Sequence, residues 1–270
     1  GYNALNNVST GYSNNAFGYN ALSTLTTTNY NVAIGAQSLA STVGERNTAF
    51  GFSALDAATS GDYNTGLGAL AGPTNGTLNY TTAIGYNSVP TATGRIVFGT
   101  TLSNNLTGGY GAWQNVSDAR FKRDVRTDVP GIELIVALRP VTYRLDAPAI
   151  ERFTGAAERL QRADAQAFAY HSAGWERAAL VEHTGLLAQE AAATVDSLRV
   201  CMDLVHLPST DQDHYSVGYA TLVVPLVRAV QQQQDRIAVL RQANAALLSR
   251  LERLEFSSTE GICKTNTPAP

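Results

Sequence analysis

A serine and a lysine stand five residues apart in Ser117-Asp118-Ala119-Arg120-Phe121-Lys122. A serine hydroxyl is a weak nucleophile until a base takes its proton, and a lysine amine serves as that base only where burial or neighbouring cations favour its neutral form. Arg120 and Arg123 flank Lys122 and are the nearest cations in sequence. Paired in this way, the two groups would cut a peptide bond through an ester. Spacing alone also describes a solvated loop.

The surroundings of the pair favour the chemistry. Before Ser117 the only charged residues are Glu45, Arg46, Asp56, Asp62 and Arg95, whereas everything after it is richly charged and holds all four His, both Cys and the single Met. Two unlike polymers therefore meet at the Ser-Lys pair, and a self-cutting junction is the expectation. The sparse carboxylates Glu45, Asp56 and Asp62 read as solvated turn residues, not as a glycan-cleaving pair.

The part before the junction is a repeat. Small-apolar-Gly recurs as Ala16-Phe17-Gly18, Ala33-Ile34-Gly35, Ala49-Phe50-Gly51, Gly66-Leu67-Gly68 and Ala83-Ile84-Gly85, with glycine spacings of 17, 16, 17 and 17. Gly1-Tyr2-Asn3-Ala4-Leu5 fits one period earlier, and Val97-Phe98-Gly99 closes the series after 14 residues. A constant period marks stacked units, none of which buries its apolar face alone. Gly, Asn and Thr in place of helix formers make the unit β. Each period has room for two short strands and two turns. The central apolar residue is expected to stack on its equivalent in the next rung, with Asn and Gly supplying left-handed turns.

The other end of the chain carries a heptad. Val223, Val230, Ile237, Asn244 and Leu251 occupy one core position, and Leu226, Gln233, Leu240, Leu247 and Leu254 the other. A stripe this narrow predicts a coiled coil over 222–256, about 52 Å long at 1.5 Å per residue. A long amphipathic helix lying on its own domain is the alternative. Between junction and heptads the pattern is α+β. Strands are expected at Val141–Leu145 and His214–Tyr219, and helices at Gly131–Leu138, Leu186–Thr194 and Ala156–Ala179.

The composition excludes several classes. A net charge of −3 gives no basic footprint for nucleic acid, and no apolar run of about 18 residues exists to insert into a membrane. Cys201 and Cys263 make no disulfide framework, no Cys/His cluster has zinc-ligand spacing, and no cofactor is expected. The chain opens at Gly1 in mid-repeat, so a fragment of a longer protein is expected.

Two resemblances add to this reading. Asn15 to Leu22, Asn47 to Leu55 and Thr82 to Val89 resemble the head repeats of trimeric autotransporter adhesins, with similar repeats in phage fibres. That likeness implies a trimeric β-roll or β-helix over 1–100, where composition alone also allows a monomeric solenoid. It also implies a host-surface receptor or glycan as a ligand of the repeat. Residues 101–116 then form a linker.

The second resemblance covers 117 to about 254. Ser117 to Val125, Leu138-Arg139-Pro140-Val141-Thr142-Tyr143, His183 to Glu190, Tyr215 to Tyr219 and Leu222 to Leu226, in that order, resemble the peptidase S74 family, the intramolecular chaperone domain of phage tailspikes and tail fibres. The likeness implies a homotrimer located on a virion tail or an extracellular surface, a chaperone domain over 117–221, and a disordered tail over 257–270. It implies that this domain templates the fibre ahead of it and releases itself as a serine endopeptidase, with Ser117 as nucleophile and Lys122 as general base. Asp118, Arg120, His183, Gln189 and Glu190 take supporting positions, although His183 also reads as a packing histidine. The cut lies at Ser117, on one side or the other. A non-cleaving trimeric adhesin with a permanent foot is the alternative. The stretch from Ala147 to Leu180 is longer than the usual family spacer.

Overall fold

The computed structural model describes residues 1–100 and 115–263, with side chains as far as Leu254. The linker expected at 101–116 falls outside the described residues except for Asn115 and Val116.

Six three-residue strands, β1 (Asn15–Phe17), β2 (Val32–Ile34), β3 (Thr48–Phe50), β4 (Thr65–Leu67), β5 (Thr82–Ile84) and β6 (Ile96–Phe98), stack in order as one parallel sheet. Ala16 pairs with Ala33, Ala33 with Ala49, Ala49 with Gly66, Gly66 with Ala83 and Ala83 with Val97. The strand register thus follows the spacing of the glycines in sequence. This is a parallel β-solenoid with a period of about 17 residues. Each turn contains one strand, not the two expected, because the rest of the period is taken by tight turns.

The expected stacking is present. Phe17, Phe50, Leu67 and Phe98 do lie in register above one another, but on the outside of the sheet. The core belongs to the small residues beside them, Ala33, Ala49 and Ala83, and to Leu22, Leu39, Leu55 and Leu70. Those four leucines adopt left-handed backbone, with φ of 52, 48, 53 and 58°. The conformation costs about 1–2 kcal/mol per residue, and full burial of a leucine contributes about 1.5–3 kcal/mol. Burial wins, so a residue type foreign to that region is tolerated at these four positions.

Glycine is required where turns touch. At Gly51, φ is +143° and a Cβ would stand 2.5 Å from the carbonyl carbon of Gly68 in the next turn. Asparagine has a part beyond turn formation. Asn31, Asn47 and Asn64 are fully buried, and their side chains donate to the carbonyls of Gly44 at 3.0 Å, Gly61 at 2.9 Å and Leu78 at 2.8 Å. Each Oδ1 accepts the backbone N–H of the equivalent residue one turn on, Asn47, Asn64 and Thr81, at 2.9 Å. The column satisfies backbone groups that the solenoid interior would otherwise leave unpaired.

The chain falls into two compact units, each discontinuous in sequence. The first contains 1–116, 140–185 and 206–216; the second contains 117–139, 186–205 and 217–270. In the first, the solenoid is joined by an antiparallel pair, β7 (Val141–Arg144) with β8 (Glu182–Gly185), and by the helical insert α2 (Ala147–Thr154), α3 (Ala156–Ala163), α4 (Ala165–Ser172) and α5 (Trp175–Ala178). Asp146 and Asp164 cap α2 and α4 by accepting the Ala149 and Ala167 amides, and Gly155 turns the chain between α2 and α3 at φ 71°.

In the second unit α1 (Ile132–Ala137), α6 (Ala188–Ser197) and α7 (Val223–Cys263) form the frame. Helix α1 packs on α7, burying Leu134, Pro225 and Ala229, and the Ile132 amide donates to Gln232 Oε1 at 2.8 Å. Pro225 sits in the first turn of α7, where its missing N–H is harmless. The 41-residue α7 is about 60 Å long. It continues through Cys263, so the tail expected from 257 is helical to that residue, and 264–270 lies outside the described residues. Among the described residues no helix is long and apolar enough to cross a membrane.

Candidate active site

Ser117 and Lys122 are brought together by one short turn. Ala119–Phe121 forms a 3-10 helix whose first residue is preceded by Asp118 as cap, its Oδ1 accepting the Arg120 amide at 2.9 Å. The Lys122 amide donates to the Ala119 carbonyl at 3.2 Å and the Phe121 amide to the Asp118 carbonyl at 3.0 Å. Lys122 leaves the turn with extended backbone. The turn folds the five-residue spacing back on itself, and Lys122 Nζ donates to Ser117 Oγ at 2.7 Å. Hydroxyl and amine are in direct contact, within the reach that a proton transfer between them would need.

Asp118 and Arg120 shape the turn. The Arg120 guanidinium grips the carboxylate with Nε at 3.1 and 3.0 Å and Nη2 at 2.6 Å. These hydrogen bonds hold the Asp118 carboxyl below its ordinary range and raise Arg120 above its own. Arg120 also lies 5.7 Å from the Phe121 ring centre. Its charge is committed to Asp118, so of the two flanking arginines only Arg123 has no carboxylate partner of this kind. The pair itself is exposed, as are Val116, Phe121 and Val125 around it.

The supporting residues divide. Glu190, in the first turn of α6, takes a forked ion pair from Arg139, with Nε at 2.9 Å and Nη2 at 2.5 Å. The arginine holds the Glu190 carboxyl below its usual range. The Leu186 amide donates to the Tyr219 hydroxyl at 2.8 Å. These two links tie together the sequence blocks around Arg139, Glu190 and Tyr219. Gln189 lies beside Glu190 on the same helical turn. His183 belongs to the other compact unit, on β8, where its ring stacks on Tyr143 across the β7–β8 pair at 5.6 Å.

Sequence reasoning missed the buried charges. Asp56 is no solvated turn residue: desolvation pushes its carboxyl up, against the opposing pull of Arg159. Glu45 and Asp62 also have structural work, the Glu45 amide donating to Asp62 Oδ1 at 2.7 Å and the Asp62 amide to Asn79 Oδ1 at 2.7 Å. Arg159 is 3% exposed, and desolvation lowers it to about 10. Glu151 and His171 pair at 2.9 Å in the interior. A helix predicted from alanine-rich composition gives no sign that its arginine faces inward; only the hydrophobic neighbours of Arg159, Ala156 and Leu160, hint at it. A scan against protein-family models and searches of curated proteins and of solved structures find no match to this chain.

Proposed function

We propose that the chain is part of a trimeric fibre whose segment after Ser117 aligns three copies, templates the solenoid, and severs its own link by Ser-Lys autoproteolysis. The single observation that carries the reading is the 2.7 Å contact between Lys122 Nζ and Ser117 Oγ. Two apolar surfaces support the trimer. On α7 the heptad residues Val223, Leu226, Val230, Ile237, Leu240, Leu247, Leu251 and Leu254 are all exposed, while α1 covers a different face through Pro225 and Ala229. On the solenoid, the outward column of Phe17, Phe50, Leu67 and Phe98 offers a second seam.

A solenoid whose rungs must match among several chains starts slowly, because chains meet in register before any rung gains a neighbour. A coiled coil at one end raises their effective concentration and makes nucleation local. Ring size favours one side for the cut. Ser117 Oγ attacks the Val116 carbonyl carbon, closing a five-membered ring, whereas attack on its own carbonyl would close a strained smaller one. The hydroxyl proton passes to a neutral Lys122 amine, the C–N bond breaks as the Ser117 nitrogen takes a proton, and water hydrolyses the resulting ester. Exclusion of water from an amine favours its neutral form, which links cleavage to assembly. Once cut, the fibre is protected by the slowness of unfolding.

The experiment is a denaturing gel with intact-mass measurement. Wild-type protein gives pieces of 116 and 154 residues, and Ser117→Ala and Lys122→Met stay whole at 270. Wild-type chains that remain intact in a fully assembled trimer would leave a permanent trimerisation foot as the reading.

A further inference from the structure

The segment after Ser117 does more than follow the solenoid; parts of it are built into the solenoid's side. Within the first compact unit, Arg159 of α3 sends its guanidinium into the turns after β4 and β5. Nη1 donates to the Gly72 carbonyl at 2.8 Å, and Nη2 donates to the Leu70 carbonyl and to Asn87 Oδ1, the latter at 3.0 Å. Asn87 Nδ2 returns a bond to the Ala156 carbonyl at 3.3 Å, and Thr74 Oγ1 donates to the Thr154 carbonyl at 2.6 Å. The negative charge of Asp56, one turn earlier, acts on the same guanidinium. The acceptors exist in this arrangement only when the turns carrying Leu70 and Asn87 have stacked.

A second anchor has the opposite sign. The Asp213 side chain is 0% exposed and takes an ion pair from Arg95 of the last solenoid turn at 3.1 Å. His206 Nε2 lies 2.7 Å from the same carboxylate, and the His214 amide donates to it at 2.8 Å. His214 Nδ1 in turn lies 3.2 Å from Thr91 Oγ1. A buried cation held by backbone carbonyls and a buried anion held by an arginine are each strongly disfavoured without their partners.

We propose that 140–185 and 206–216 form a docking module for the last turns of the solenoid, so that the piece beginning at Ser117 stays bound after the chain is severed. Its partner is the stacked solenoid of this chain, recognised through the Leu70 and Gly72 carbonyls, Asn87 and Arg95. Scission and departure are then separate events, and departure requires a displacing partner. This goes beyond the dyad reading, and its test does not use the dyad.

A Ser117→Ala chain is given a sequence-specific protease site between Thr100 and Asn115, nicked with the added protease, and run on a native sizing column and a denaturing gel. The expected result is two pieces on the gel and one peak on the column. Arg159→Ala with Asp213→Ala separates the nicked pieces. Arg159→Lys, which keeps the charge but loses the fork, speeds their dissociation on dilution by about tenfold. Nicked pieces of the parent chain that elute apart, or a double variant that holds together as tightly as the parent, would overturn the proposal. Failure of the dyad in the wild-type chain leaves this outcome untouched.

Discussion

Arg120 clamps Asp118 through the Nε–Nη2 edge of its guanidinium, and that clamp sits on the turn that lays Lys122 Nζ against Ser117 Oγ at 2.7 Å. The dyad is thus held by a local device of six consecutive residues. No distant part of the chain is needed to bring the hydroxyl to the amine.

Removal of the clamp is expected to loosen the dyad without touching either reacting group. Asp118→Ala loses both the cap on the Arg120 amide and the ion pair. Self-cleavage followed by gel densitometry is expected to slow on the order of tenfold, while Arg123→Ala leaves the turn geometry intact. Equal rates in Asp118→Ala and wild type would count against a positioning role.

Burial of the α7 stripe is expected to depend on other copies of the chain. Leu240→Asp places a carboxylate in the exposed heptad line, far from the Pro225, Ala229 and Gln232 face that contacts α1. Sedimentation of the wild type is expected to give a trimer, and of the variant a smaller species with unchanged circular dichroism per residue. A wild-type monomer at micromolar concentration would remove the basis of the templating argument.

The asparagine column should be costly to interrupt. Asn47→Ala deprives the Gly61 carbonyl and the Asn64 amide of partners inside the solenoid. Each unsatisfied buried group costs about 1–3 kcal/mol, so a loss of about 3 kcal/mol in urea unfolding is expected. Asn75→Ala, whose side chain bonds only within its own exposed turn, serves as the control.

Acid should weaken the docked 206–216 segment in two steps. Desolvation, together with the charge of Arg95, lowers His214, so its neutral form is the one that fits. A depressed histidine contributes stability above its unfolded value near 6.5 and loses it as pH falls below that. Burial pushes the Asp213 carboxyl up, but hydrogen bonds from His206 and from the His214 and Ser209 amides, with the charge of Arg95, outweigh it and hold the group at about 2. Its contribution is present above about pH 4 and is lost as pH falls towards 2. Urea melts at a series of pH values are expected to show both steps, and Asp213→Asn to remove the lower one. A flat profile between pH 7 and 3 would contradict the assignment.

The solenoid was legible because stacking demands identity. Every turn must present the same small residue to the core and the same glycine to its neighbour, so the period of Gly18, Gly35, Gly51, Gly68 and Gly85 is the strand register itself. The strands at Val141 and Ser216, the helices at Ile132 and Ala188 and the long helix from Val223 were legible by the same local logic of alternation and periodicity. The Ser117–Lys122 contact is local as well, made by a single capped turn, but the five-residue spacing by itself did not separate it from a solvated loop.

Tertiary structure decided what local pattern cannot carry. It set the aromatic column outside and the leucines inside, because left-handed turns redirect side chains in a way that alternation does not encode. It turned Arg159 and Asp213 from ordinary surface charges into buried anchors, because their partners lie 72 or more residues away in sequence, at Leu70, Gly72, Asn87 and Arg95. It also cut the compact units across the linear order, gathering 140–185 and 206–216 with the repeat. Residue type records what a side chain is able to do; which charges leave water is settled only when distant segments close around them.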